Sequence, residues 1–210
     1  MRFVAVFGLL LACVAARAED DLVALTREAF IYGFPIVDNY KVLHDCALDP
    51  RSPEYKGPPN TITHTRRLAT PDDRAIVAPN VDTPYSHAWL DLAAEPVVPT
   101  LPRFESDRYV SIQLIDGSTW IVGCVTPRTH GHDGGNFMVA GPGWTGATPP
   151  GIDEVFRAPT RFVLALYRTH VFDDADLARV QALQDGYRVA PLPRWLGVEP
   201  PPVVPLPQPT

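Results

Sequence analysis

This chain has few cysteines, a shortage of basic charge and no long apolar run. Its three cysteines, Cys13, Cys46 and Cys124, stand far apart, so close-spaced zinc or redox motifs are excluded. Lysine and arginine total 18 against 24 acidic residues, and no basic stripe emerges. Nucleic acid and anionic membrane surfaces are therefore not expected as partners. No Gly-x-Ser-x-Gly nucleophile elbow occurs. Gly131, Gly134, Gly135, Gly141 and Gly143 do not lead a strand into a helix, which rules out a phosphate loop. Internal repeats are lacking as well. Against these absences, 46% of the 210 residues are hydrophobic, enough for one real core.

The first residues read as an export signal. Arg2 supplies a short positive start, Val4 to Val14 is apolar, and Ala16-Arg17-Ala18 fits a small-x-small cleavage site before Glu19. The apolar stretch falls short of the roughly 20 residues of a membrane-spanning helix. Lipoprotein processing at Cys13, after Leu10-Leu11-Ala12, is the rival reading. The expectation is an exported chain, periplasmic or secreted, with residues 1–18 as its signal peptide and no membrane span in the mature form. Cleavage lowers the basic count from 18 to 16 against 24 acids, a net charge of −8. In an oxidising compartment Cys46 and Cys124 either pair, stabilising the fold by about 2–4 kcal/mol, or remain buried thiols; spacing decides neither.

Hydrophobic periodicity predicts a β-rich core with helices at both ends. Asp20 and Asp21 offer an N-cap, and Leu22, Leu25, Ala29 and Phe30 follow at helical spacing. Gly33 and Pro35 stop or kink that helix, after which Ile36, Tyr40, Leu43 and Ala47 give a second, forming a helical hairpin. From Thr61 the period becomes two. Strands are expected around Tyr85 to Leu92, on both sides of the Asp116-Gly117 turn, at Phe137 to Ala140, and over Arg161 to Thr169. A last helix carries Leu177, Val180, Leu183 and Tyr187 on one face. Residues 191–210 hold eight of the 24 prolines and little charge, which predicts a disordered or polyproline-like tail after one domain over 19–190.

Chemistry concentrates between Pro79 and Leu92. Asn80, Asp82 and Thr83 precede a strand, where such side chains commonly bond local backbone. Alternation then puts Tyr85, His87, Trp89 and Asp91 on one face, and Ser86, Ala88, Leu90 and Leu92 on the other. Ser86 and His87 cannot form a nucleophilic pair for that reason. Either the segment is a rigid turn, or Asn80, Asp82, Thr83, Tyr85 and His87 make one wall of a ligand site. Arg168 and Gln184 are the distant polar residues expected to meet it. His130-Gly131-His132-Asp133 carries metal-ligand residue types, yet a site needs three or four ligands, and His64, His87 or His170 would have to join. A solvated loop is the expectation there, with neither metal nor cofactor. Trp120 and Trp144 either stack on sugar rings or plug the core.

Several of these segments resemble, in order, the bacterial exported family known as domain of unknown function 1254. The matching pieces are Ala29 to Pro35, Asn80 to Ser86 with Ala88 to Leu92, Glu95-Pro96, Tyr109 to Asp116, Arg128-Thr129 with Gly131, and Gly141 to Trp144. The resemblance implies an immunoglobulin-like β-sandwich with helical additions and no agreed activity. It also implies a companion β domain, the 1214 family, directly after this one; here that position holds the proline-rich tail. The chain is therefore expected to be a stand-alone version or a truncated one.

Three functions remain open on the sequence: a module binding a small polar ligand or a companion β domain, a hydrolase or lyase using Asp82 with Tyr85 or His87, and a structural envelope protein. The first is favoured because no complete catalytic set assembles from the motifs.

Overall fold

A computed structural model describes residues 2–74, 78–199, 201–202 and 204–205, with side chains from residue 21 onward. Among the described residues nine strands form two open sheets. The first runs β1 (Thr63–His64), β2 (Tyr85–Asp91), β8 (Phe162–Thr169), β4 (Val110–Asp116) and β5 (Ile121–Val125). The second runs β7 (Glu154–Arg157), β6 (Gly135–Ala140), β3 (Val97–Leu101) and β9 (Arg188–Pro191). Every pairing is antiparallel except β6 with β7.

Alternation builds the shared core. Ala88, Leu90, Val110, Ile112, Leu114, Val163, Ala165 and Tyr167 from the first sheet meet Val97, Leu101, Phe137 and Val139 from the second. Each outer face is partly covered too. Leu43 and Ala47 close over Trp89 on the first sheet, and Leu192 sits with Val98 and Met138 on the second. Burying side chains of this size stabilises by about 1.5–3 kcal/mol each before entropy is counted.

The mainly-β expectation with flanking helices therefore holds at the level of two sheets, which are open-edged and include one parallel pair. Three further expectations change. The N-terminal hairpin is one continuous helix, α1 (Arg2–Leu43), which runs through Pro35. Proline removes a donor there, but the surrounding turns are exposed, so water can take the freed carbonyl. A π-helical turn, His44–Leu48, then ends the segment. The expected signal peptide falls within α1, where side chains lie outside the described residues. The predicted C-terminal helix is short, α3 (Leu177–Gln184) behind a 3₁₀ turn, and follows the small α2 (Pro127–His130). Finally, the proline-rich stretch is structured where it begins: Pro191 closes β9, and α4 (Leu192–Trp195) follows.

Besides the two-residue β1, three strands escaped the periodicity. β3 carries Pro99 in an interior strand, where a missing donor argues against strand structure. The ladder accommodates it: β3 pairs with β6 at Val97 and again at Thr100, and Pro99 faces Val189 of β9. β7 and β9 are short, and their partners, β6 and β3, lie well away in sequence. Cys46 and Cys124 are both free, Cys46 half-buried under the end of α1 and Cys124 exposed on β5.

Candidate functional site

β2 carries polar residues on both faces, and each face meets a different set of partners. On the outer face the register aligns Tyr85 with Arg168, and Arg168 with Ser111. One row further, His87 faces Leu166, which faces Gln113. The Arg168 guanidinium lies 5.5 Å from the centre of the Tyr85 ring and donates to Gln113 Oε1 at 2.9 Å. Such a contact is worth about 0.5–1 kcal/mol at a solvated site. Ser111 is buried, and its hydroxyl has no hydrogen-bond partner. His87 Nε2 lies 3.2 Å from Thr63 Oγ1 on the edge strand β1. Burial, with Lys56 and His64 adding repulsion, pushes the His87 ring down to about 4, so it is neutral near pH 7.

The turn ahead of β2 is divided. Asn80 and Asp82 are exposed, Thr83 is buried, and the Thr83 hydroxyl has no partner. The backbone N–H of Asn80 makes a long contact of 3.4 Å with the Tyr85 hydroxyl. The Asp82 carbonyl accepts from the Val171 N–H at 2.9 Å, which ties the turn to the end of β8. The structure therefore brings Tyr85, His87 and Arg168 together on one face, with exposed Asn80 and Asp82 and buried Thr83 in the turn that leads into it.

Behind this wall, on the inner face, Ser86 Oγ sits 2.8 Å from His64 Nδ1 and accepts from Gln184 Nε2 at 3.1 Å. Burial, with Arg66 nearby, holds His64 below its ordinary range, which favours a neutral ring able to accept the serine proton. Ser86 nevertheless has only 1% exposure, so the pair joins β1 and α3 to β2 and presents no nucleophile. Tyr167 and Tyr187 stack alongside at 5.2 Å, and Tyr187 shares a 2.6 Å hydrogen bond with Thr169. The Tyr167 hydroxyl and Gln184 Oε1 are buried without partners.

Next to this cluster lies a fully engaged arginine. All five N–H groups of Arg108 are used: Nε and Nη2 reach Glu105, Nη1 and Nη2 reach Asp176, and Nη1 also reaches the His170 carbonyl. Arg108 in turn lowers the Asp176 carboxyl to about 2. His130 Nε2 lies 2.6 Å from Glu154 Oε2, and the His132 ring stands on edge to Phe104.

Two cavities lie elsewhere. One, of about 200 Å³, separates the end of α1 from the first sheet, between Tyr40, Leu43, Trp89 and Phe162. The other, of about 270 Å³, lies between Asn60, Asp91, Glu95 and Arg194. Neither is lined by Asn80, Asp82, Tyr85, His87 or Arg168. Sequence reasoning named Arg168 and Gln184 but missed Ser111, Gln113 and the His64–Ser86 contact. The first two had a usable signal: they are the polar positions alternating with Val110, Ile112 and Leu114 on β4.

Fold and site together define a two-sheet β domain with helical additions and a polar row on one face. Residues 59–191 match the family described as "Protein of unknown function (DUF1254)", more than half of the chain, and the chain belongs to that family. The companion 1214 domain is not detected. Among solved structures the chain is similar to the VPA0106 protein from Vibrio parahaemolyticus, with 29% identity and a TM-score of 0.76 over 90% of this chain. The chain spans only 43% of that protein's length. An uncharacterised protein from Burkholderia cenocepacia aligns over 64% of this chain and 36% of its own, at 18% identity and a TM-score of 0.38. No curated protein matches the chain.

Proposed function

We propose that this domain is a binding module whose outer wall of Tyr85, His87, Ser111, Gln113 and Arg168 takes a small polar ligand through an anionic group. One observation carries this reading. Arg168 is half-buried, its recorded side-chain hydrogen bond goes to the neutral Gln113, and among the described residues no carboxylate pairs with it. A half-buried guanidinium stacked on a phenol, with no carboxylate of its own, is suited to a carboxylate. Asn80 and Asp82, exposed on the turn ahead of β2, form the rim of the wall. Titration of the full chain with acetate, succinate and benzoate tests the reading. Binding that Arg168→Met abolishes supports it; absence of binding, or binding indifferent to that change, removes it.

An accessory role beside a companion β domain is the second reading, and a separate observation favours it. α1 exposes Leu22, Val23, Leu25, Phe30, Ile31, Phe34, Val37 and Tyr40 to solvent. Contiguous apolar surface of that kind ordinarily meets another protein surface. The similar structure from Vibrio parahaemolyticus is more than twice as long as the part it shares with this chain. Co-expression with a 1214-family domain, followed by size-exclusion chromatography, would show one co-eluting species that Phe30→Glu disrupts. Separate elution of the two would remove the reading.

A hydrolase or lyase using Asp82 with Tyr85 or His87 fits less well. His87 Nε2 is engaged by Thr63, and Asp82 lies exposed on the turn. A purely structural envelope role leaves the Arg168 wall without a purpose. The module is proposed to work outside the cytoplasm, on the strength of the N-terminal pattern. N-terminal sequencing of exported protein should begin at Glu19; a start at Met1 would count against it.

A further inference from the structure

Arg161 stands just ahead of β8, at the far end of that strand from Arg168, and its donors serve two kinds of partner. Nε and Nη2 reach the two Asp91 carboxylate oxygens at 2.8 and 2.7 Å. Nη2 also donates to the Val204 carbonyl at 3.0 Å, and Nη1 to the Pro205 carbonyl at 3.3 Å. The guanidinium lies 5.0 Å from the centre of the Phe162 ring. The sheet fixes this arrangement from several sides. The Leu92 N–H donates to the Arg161 carbonyl at 2.9 Å, and the Ala93 N–H to Asp91 Oδ1 at 3.1 Å. Asn60 clamps the same corner: its Oδ1 accepts the Asp91 N–H at 2.9 Å, and its own N–H donates to the Trp89 carbonyl at 2.8 Å. A guanidinium gripped by a carboxylate so placed keeps one orientation, so its remaining donors are set before a partner arrives.

Those donors meet a proline-rich stretch of chain. Proline holds φ near −65° and carries no N–H, so a run of prolines is extended in advance, loses little freedom on docking, and offers carbonyls that have no partner of their own. Two adjacent carbonyls of that kind are the acceptors that Arg161 takes. Beside them, the cavity of about 270 Å³ has Pro201 and Val204 of the tail among its lining, together with Pro59, Ala94 and Pro191 of the domain. Apolar side chains against apolar residues, with main-chain carbonyls bonded by a fixed donor, is the way extended proline-rich segments are recognised.

We infer that this corner is a docking groove for an extended proline-rich segment, with Arg161 bonding two successive main-chain carbonyls and Pro59, Ala94 and Pro191 receiving the apolar side chains. Here the chain's own tail occupies the groove through Pro201, Val204 and Pro205. A proline-rich segment of another polypeptide takes the same place when the tail leaves it. The groove selects backbone conformation rather than charge, because its polar contacts go to carbonyls. It goes beyond the Arg168 wall and does not depend on it.

Calorimetric titration with the acetylated and amidated peptide of residues 200–210, which carries no charge, tests the inference. The recipients are the full chain and a full-length variant with a weakened tail, Pro201→Gly, Val204→Gly and Pro205→Gly. The variant should bind the peptide with a Kd of about 0.1 mM. A tethered tail competes at an effective concentration of about 1 mM, so the unaltered chain should bind about tenfold more weakly. Adding Arg161→Lys, which keeps a charge beside Asp91 but loses the planar fork, should weaken binding to the variant about tenfold with the melting curve in place. A peptide with glycine at the same three positions should lose a similar factor, and that comparison decides the matter if Arg161→Lys fails to fold. Arg168→Met should leave peptide binding unchanged, so failure here and failure of the wall reading are distinguishable. No binding to the weakened-tail variant, equal binding by the unaltered chain, equal binding of the glycine peptide, or indifference to Arg161→Lys would each overturn the inference.

Discussion

Arg108, two residues ahead of β4, and Arg168, near the end of β8, occupy the same end of the first sheet and meet opposite surroundings. Arg108 is enclosed: its side chain has 1% exposure, two carboxylates and a carbonyl take its donors, and the Phe172 ring lies 4.6 Å from its centre. Arg168 faces outward, meets a neutral amide and a phenol, and has an unpaired hydroxyl as its strand neighbour. The contrast separates two uses of one side chain. The first closes a corner of the fold; the second leaves a charge available.

The largest effect expected to test this contrast comes from Arg108→Met, which strands Asp176 as an uncompensated buried charge. Loss of stability should be about 3–5 kcal/mol in urea titrations. A loss under 1 kcal/mol would show that the corner is not the structural one. The next effect concerns the wall. The His87 pKa is depressed to about 4 from 6.5, so the folded state resists a proton that the unfolded state takes. That stability is fully present above about pH 6.5 and is lost as pH falls through about 4, a total of about 3 kcal/mol, with His64 adding the same sign. His87→Gln should flatten the slope in that window; an unchanged slope would mean that the wall admits water freely.

Smaller effects compare satisfied with unsatisfied hydroxyls. Thr169→Val leaves the buried Tyr187 hydroxyl without its 2.6 Å partner and should cost about 1–3 kcal/mol. Ser111→Ala removes a buried hydroxyl that has no partner and should hold or raise stability rather than lower it. Arg168→Met belongs with Ser111→Ala on stability, within about 0.5 kcal/mol, while abolishing carboxylate binding. If Arg168→Met instead destabilised as strongly as Arg108→Met, the two arginines would share one structural role.

How much of this was legible in the sequence follows from the range of the interactions involved. Alternation over Tyr85 to Leu92 assigned both faces of β2, because a period of two is a local property. The Asp116-Gly117 turn was legible for the same reason, although the loop is longer than two residues: the Asp116 carboxylate takes the N–H groups of Ser118 and Trp120. Pro99 hid β3, since a missing donor counts against a strand until the pairing gap is known. The meeting of His64 with Ser86 was illegible because a two-residue strand gives almost no periodic signal. Arg168 could be chosen as a candidate, but its place opposite Tyr85 depends on a register set by the whole β2–β8 ladder.

That ladder also governs how the chain can assemble. β8 is the middle strand of the first sheet, yet it is among the last to be made, and its partners β2 and β4 precede it by long stretches of chain. Until residue 169 exists, β2 and β4 have no strand to hold them side by side, and the first sheet has a gap at its centre. Folding therefore waits on distant contacts and should be slow for a domain of this size, with the loop-closure entropy met before the core can reward it. Shortened chains ending before β8 should remain unfolded as a whole, with no stable half-domain along the way.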